Sequence, residues 1–313
     1  MPQMSTAQAR VVDAVLTTVA QGYKNAAMVG MRLFPYVPTG SRGGKIITFG
    51  KEDFLLYATG RTPGANTKRV QFGYTGGNYA LEQHALEGLL PIENMQEAQA
   101  VPGVNLATTT IRKTQNIISL RLEKAQADLA TNPANFSASN KQALSGTSKW
   151  DDYAGSDPVS DVDDARAAVR AQIGLRPNTA LIGGAVWDKL KNHPKIVDRI
   201  KYTGRDSATP ELIASLFGVS QVVIGDAVYA EGENSGFKDV WGKNVVLAYT
   251  DLSPVVDQGT PTFGYTYQLE AHPLVEAPYF DRQTKSWVYP VTDEVQPVIA
   301  GASAGFLLSG VVI

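Results

Sequence analysis

The chain has 313 residues, 43% of them hydrophobic and 19% charged, with 29 glycines, 17 prolines and a net charge of −2. That composition suits a folded chain of one large or two ordinary domains rather than a disordered one. The absence of cysteine excludes disulfides and thiolate metal sites, and the near-neutral balance excludes a globally basic nucleic-acid binder, though not a local basic face.

The first segment, "STAQARVVDAVLTTVAQGYKNAAM", predicts an amphipathic helix capped by Ser5 or Thr6 and stopped at Gly22. Val12, Val15, Leu16 and Val19 share one face. Pro35 and Pro38 then favour extended chain. "KIITFG" and the alternating "RVQFGY" bracket a glycine-rich stretch. Residues 45–80 therefore read as a long β-hairpin with a flexible basic tip, which needs a surface to lie on. "NYALEQHALEGLLPIENM" reads as a short helix ended by Pro91. The longest helical pattern covers about 103–131, with Val104, Ala107, Ile111, Ile118, Leu122, Ala125 and Leu129 on one face. Such a helix is about 40 Å long. Arg112, Lys113, Arg121 and Lys124 fall mostly off that face.

A Ser/Asn/Gly-rich connection leads to an α/β unit. Asp161 is the predicted cap of "VDDARAAVRAQIG", and Gly174 its stop. "TALIGG" reads as a buried strand, followed by two short helices split at Pro194. Pro210 opens another helix. "SQVVIGDAVY" and "NVVLAYTD" read as strands joined by the loop "AEGENSGFKDVWG". Phe263 to Ile313 is strand-like again.

No segment approaches the roughly 18 apolar residues that span a bilayer. "MPQMSTAQAR" lacks the order of a signal peptide, so the expectation is a protein made inside a cell. Charge is unevenly placed. Residues 1–69 hold nine Lys/Arg against three acids, so the remainder is acidic. A basic front and an acidic body attract each other within or between chains.

The search for chemistry returns little. There is no Walker loop, and "LIGGAVW" lacks the spacing of a dinucleotide fingerprint. Its glycines read as a tight strand-to-helix turn. His193, directly before Pro194, reads as a cap or packing residue. His84 with Glu87 and His272 with Glu276 read as surface pairs. "DVDD" opens a helix, where carboxylates suit the dipole. No zincin, EF-hand or nucleophile-elbow pattern occurs. No cofactor, catalytic or metal residue is assigned. A terminal helix, a long basic hairpin and a lone long helix are hard to bury in one chain of this size, which points to self-assembly.

The order of parts resembles the major capsid proteins of tailed bacteriophages. "LFPYVPT" with "GKIITFGKEDF", "RTPGANTKRVQFGYTGGNYALEQHALEGLLP", "PNTALIGGAVWDKLKNHPKI" and "LFGVSQVVIGDAVY" carry the likeness. The resemblance implies an α+β fold with an N-terminal arm (1–44), an extended β-hairpin loop (45–84), and a peripheral domain (85–154) holding the spine helix. An axial domain (155–255) and return strands of the peripheral domain (256–313) would follow. It implies a structural protein that self-assembles into pentamers and hexamers of an icosahedral head around double-stranded DNA. Portal and scaffolding proteins, the scaffold being a separate chain, are implied partners, as is a decoration protein. DNA would meet the shell by non-specific contact. The head would assemble in the host cytoplasm. Lys51, Arg61, Lys68 and Arg69 would make inter-subunit contacts, and Glu231, Asn234 and Lys238 would sit at the capsomer axis. Some members crosslink a Lys to an Asn; Lys51 and Lys68 lie in the corresponding loop, with no acceptor identified. Two alternatives stay open: an encapsulin-like cellular nanocompartment, and a soluble α/β enzyme built on 155–255.

Overall fold

The computed structural model describes residues 12–21, 25, 27–46, 56, 59–63, 66, 67, 69, 77–99, 105–201, 208–251 and 262–313. Val12 is extended, bridged to Glu276, and the Asp13 carboxylate accepts the Leu16 amide at 2.9 Å. Helix α1 (Ala14–Gln21) is thus capped by Asp13. Ser5, Thr6 and Gly22 lie outside the described residues. The bridge takes Val12 off the predicted helical face, because pairing with a neighbouring strand overrides local period there.

Strand β1 (Tyr36–Thr39) enters a six-stranded sheet. Next come β2 (Gly43–Lys45) and β3 (Asn78–Ala80), which pair only with each other. The helix predicted over 78–95 is instead a strand, β4 (Glu82–Pro91), and α2 (Ile92–Gln99) starts only after Pro91. Two periods compete in "EQHALEGLLP". Antiparallel pairing with residues 286–295 selects period 2. Gly88 and Leu90 then turn inward while Glu87 and Leu89 face out.

Helix α3, the spine, runs Leu106–Thr131 with Asn105 as its cap. Its buried stripe includes Ile111, Gln115, Ile118, Leu122, Glu123, Gln126 and Ala130. Ala125 and Leu129, predicted on that stripe, are only half-buried. Two of the inward polar side chains, Glu123 and Gln126, find partners there. Gln126 Nε2 donates to Thr266 Oγ1 at 2.9 Å. Glu123 Oε1 accepts Trp241 Nε1 at 2.7 Å and the Val29 amide at 3.0 Å, and Glu123 Oε2 accepts the Gly30 amide at 2.8 Å. A Cβ on Gly30 would lie 2.1 Å from Gln126 Oε1, so only glycine lets the arm approach so closely.

Past the spine, β5 (Lys141–Ala143) begins a second, five-stranded sheet. Helix α4 (Pro158–Ile173) is capped by Asp157, not Asp161, because Pro158 takes the first helical position. Asp161 instead accepts Trp150 Nε1 at 2.8 Å. Gly174 ends the helix in the left-handed region, at φ 72°. Strand β6 (Thr179–Gly183) is wholly buried and lies parallel to β7 (Gln221–Gly225). Between them run α5 (Gly184–Leu190), α6 (Pro194–Ile200) and α7 (Pro210–Phe217). A hairpin of β8 (Val228–Tyr229) and β9 (Lys238–Asp239) follows, then β10 (Val245–Ala248) back in the second sheet.

The "LIGG" glycines are packing residues. A Cβ on Gly183 would lie 2.2 Å from the Gly242 carbonyl, and one on Gly184 would lie 2.5 Å from Asp226 Oδ1. Other chain, not a phosphate, occupies that space.

The last segment divides between the sheets. β11 (Gly264–Leu269), β12 (Leu274–Val275), β13 (Tyr279–Asp281) and the 14-residue β14 (Ser286–Ile299) belong to the first, where β14 pairs with β4, β11, β12 and β13. β15 (Gly305–Ser309) crosses into the second, between β5 and β10. The described part of 256–313 thus supplies strands to both sheets. The core follows this division. Ile111 and Ile118 of the spine pack with Leu90, Tyr289 and Val291. Ala127 and Ala130 pack with Leu33, Phe34 and the second sheet. One helix thus serves two cores.

His193 is a buried cap, as its position predicts. Its Nδ1 accepts the Lys195 amide at 3.2 Å, and its Nε2 meets Ser156 Oγ at 3.0 Å. Burial, reinforced by the Lys195 ammonium, holds its pKa below the ordinary 6.5. A depressed imidazole contributes stability that is present above the ordinary value and is lost as pH falls below it. The unfolding midpoint should therefore drop more steeply between about pH 7 and pH 5 in the native chain than in His193→Gln. Parallel slopes would exclude this linkage. Glu123→Ala, which strands three N–H donors, should cost on the order of 2–4 kcal/mol in urea unfolding of the unassembled chain. Glu123→Gln, which keeps one carbonyl acceptor, should cost less.

Candidate assembly surfaces

Two hairpins leave the sheets, and each is rooted differently. At the root of the first, Gly43 pairs with Ala80 and Lys45 with Asn78, and the Ile46 amide donates to Gly77. Tyr79 stacks on Tyr267 at 4.0 Å, with the rings 1° from parallel, and its hydroxyl meets Thr39 Oγ1 at 3.1 Å. A Cβ on Gly44 would lie 2.8 Å from the Tyr79 ring. Arg42 clasps the buried Glu294 carboxylate with Nε at 2.6 Å and Nη2 at 2.9 Å. This fork-to-carboxylate geometry is the strong form of the pair.

Glu294 and its neighbour Asp293 form a buried acidic step on β14. Asp293 accepts both bonds from Gln268 Nε2. Burial pushes its carboxyl up, opposed by Gln268, His272 and His84. His272 lies 3.9 Å from Glu294, and His84 lies 3.9 Å from Glu82. Neither histidine uses the carboxylate that sequence spacing offers. Glu87 accepts the Tyr279 hydroxyl instead, and the Glu276 backbone amide donates to the Pro290 carbonyl. Among the described residues no cluster of His, Asp and Glu can hold a metal ion, and no helix is long and apolar enough to cross a membrane.

Beyond the root the described hairpin residues are exposed. Arg61 and Arg69 face solvent, and Leu56 has a relative exposure of 103%. Lys51 and Lys68 lie outside the described residues. In the second hairpin, Lys238 Nζ reaches Glu231 Oε2 at 2.7 Å, across the turn that holds the exposed Asn234. The ammonium holds the Glu231 carboxyl below its ordinary range. Phe237, beside them, is 80% exposed. The two candidate sets stay apart: the structure brings Glu231 and Lys238 together and leaves Arg61 and Arg69 without a joint site. Arg42, Tyr79, Glu123 and Phe237 are the residues that sequence reasoning passed over. A lone Phe in a Gly/Asn-rich loop was the one available signal.

A family model described as phage major capsid protein E matches residues 130–251. The major capsid protein of Burkholderia phage BcepMu is 39% identical over 306 residues, covering 96% of this chain and 97% of that protein. The chain belongs to the phage major capsid protein family. It is a structural protein of the virion shell, not an enzyme. A phage-related protein from Bordetella bronchiseptica RB50, solved by crystallography, superposes with a TM-score of 0.83 at 42% identity, covering 97% of this chain and 99% of that one. The capsid of cyanophage P-SCSP1u shares the fold, with a TM-score of 0.56 at 11% identity over 92% of this chain and 89% of that one. The α+β architecture is thus the tailed-phage capsid fold.

The root of the first hairpin yields a test. Arg42→Ala removes the partner that holds Glu294, and the hairpin should be cut faster in limited proteolysis while far-UV circular dichroism stays unchanged. Equal cutting rates would show that the ring stack and the short ladder hold the root without the ion pair.

Proposed function

We propose that copies of this chain close into pentamers and hexamers through an axial domain of about 155–255, which contributes β6, β7 and β10 to the second sheet, with Glu231, Asn234 and Lys238 facing the capsomer axis. The first sheet and spine act as the peripheral domain. Residues 1–44 form an arm, and the hairpin within 45–84 lies across a neighbouring copy. There Lys51, Arg61, Lys68 and Arg69 meet acidic surface. The observation that carries this reading is Leu56. A large apolar side chain stands wholly in solvent on a hairpin whose root is fixed, and burial against a second copy would remove it from water at a gain of about 2 kcal/mol. Many weak contacts of this kind per subunit sum to a stable closed shell.

The head encloses double-stranded DNA, held by confinement and sequence-independent contact. Portal and scaffolding proteins, and a decoration protein, are its other partners, and assembly takes place in the host cytoplasm.

Negative-stain electron microscopy of the purified chain, alone and with its scaffolding partner, should show uniform hollow particles. A monomer or dimer under every condition would reject self-assembly. The triple charge reversal R61E/K68E/R69E should abolish or slow shell formation, read by light scattering, while leaving the urea midpoint of the unassembled chain unchanged. Normal shells from that variant would remove the basic tip from the contact.

A further inference from the structure

We propose that the solvent face of the spine helix binds the phosphodiester backbone of the enclosed duplex DNA. This rests on the shell reading above and names one place where shell and genome meet.

From Leu106 to Leu122 the spine carries no Asp or Glu. Arg112, Lys113 and Arg121 are exposed on that stretch, and no described acid pairs with them. Several cations elsewhere on or beside helices have an acid three residues earlier. Arg166 pairs with Asp163, Lys191 with Asp188 and Lys201 with Asp198, each at i,i+3. Even on the spine, Lys124, just past the stripe, pairs with Asp128. In a chain of net charge −2, three exposed cations on a helical stretch that holds no acid make a local basic face.

Lys113, Ile117 and Arg121 fall at successive i,i+4 positions, so they form one line along the helix. The outer two are separated by a rise of about 12 Å, comparable with the major-groove width of B-DNA at about 12 Å. Cations at the two ends can therefore reach phosphates on facing rims. Arg112, Lys113 and Thr109 line an open hollow of about 470 Å³. Guanidinium, ammonium and hydroxyl donors are the set that contacts phosphates without reading bases. A protein segment would favour an apolar anchor at the centre of its interface. Here only Ile117, 57% exposed, offers one.

The test compares the full-length chain with the variant R112A/K113A/R121A. Binding of two unrelated 40-base-pair duplexes is read by fluorescence anisotropy across salt, and shell formation is read separately by electron microscopy. Three phosphate contacts give a log–log salt slope of about −2.7, or about a 40-fold loss of affinity between about 50 and 200 mM salt. The native chain should show at least that slope, equally for both duplexes. The variant should lose about that increment and still form shells. Unchanged affinity and slope in the variant would overturn the proposal. So would a variant that binds DNA normally but fails to assemble, since the stripe would then be a protein contact. If the native chain forms no shells yet binds duplex through these residues, the shell reading falls and the site remains.

Discussion

The Glu123 carboxylate accepts N–H groups from the Val29–Gly30 turn and from the Trp241 indole, two segments far apart in sequence. Burial pushes its carboxyl up, and the three donors pull it down. A buried charge is tolerated only where such donors face it, so the donors cannot be far from where they are. The Val29–Gly30 turn and the segment holding Trp241 are thereby both tied to the spine. Gly30 and Gly225 finish the joint. A Cβ on Gly30 would strike Gln126, and a Cβ on Gly225 would strike Trp241 at 2.3 Å. Both partners lie against the larger core, so this acid ties two distant segments of that core to the helix.

Around that joint the molecule separates into parts it covers itself and parts it leaves uncovered. The hairpin root is held by an ion pair, a ring stack and a short ladder. The described residues past it are bare. The second hairpin balances Glu231 with Lys238 but leaves Phe237 in water. Fixed roots with uncovered tips lower the ordering cost of meeting a neighbour, because the approach direction is already set.

Much of the α/β unit was legible because its signals are local. The all-buried "TALIG" strand, the glycine stop at Gly174 and the prolines at Pro194 and Pro210 act within a turn of themselves. β4 was not legible, because its period is chosen by a strand about 200 residues later. The spine's inward face was misplaced for a related reason. An apolar pattern cannot show that Gln126 and Glu123 are buried when their partners, Thr266 and Trp241, lie far along the chain. The crossing of β15 into the second sheet likewise depends on what β10 offers as an edge, not on anything within "GFLLS". The two hairpins were legible only as loops of unusual charge and glycine content. The particular side chains that root or tip them were not, since exposure of Leu56 or Phe237 depends on what fails to cover them.

The crossing of β4 beneath the spine has a mechanical consequence. At Gly88 there is no side chain between strand and helix, and a Cβ there would lie 2.5 Å from Thr110 Cγ2 and 2.7 Å from Thr114 Oγ1. Sliding the helix along the strand would drive those threonines into Leu86 or Leu90. The crossing is therefore a close backbone contact that fixes the helix along the strand, placed where the longest described helix meets the longest ladder.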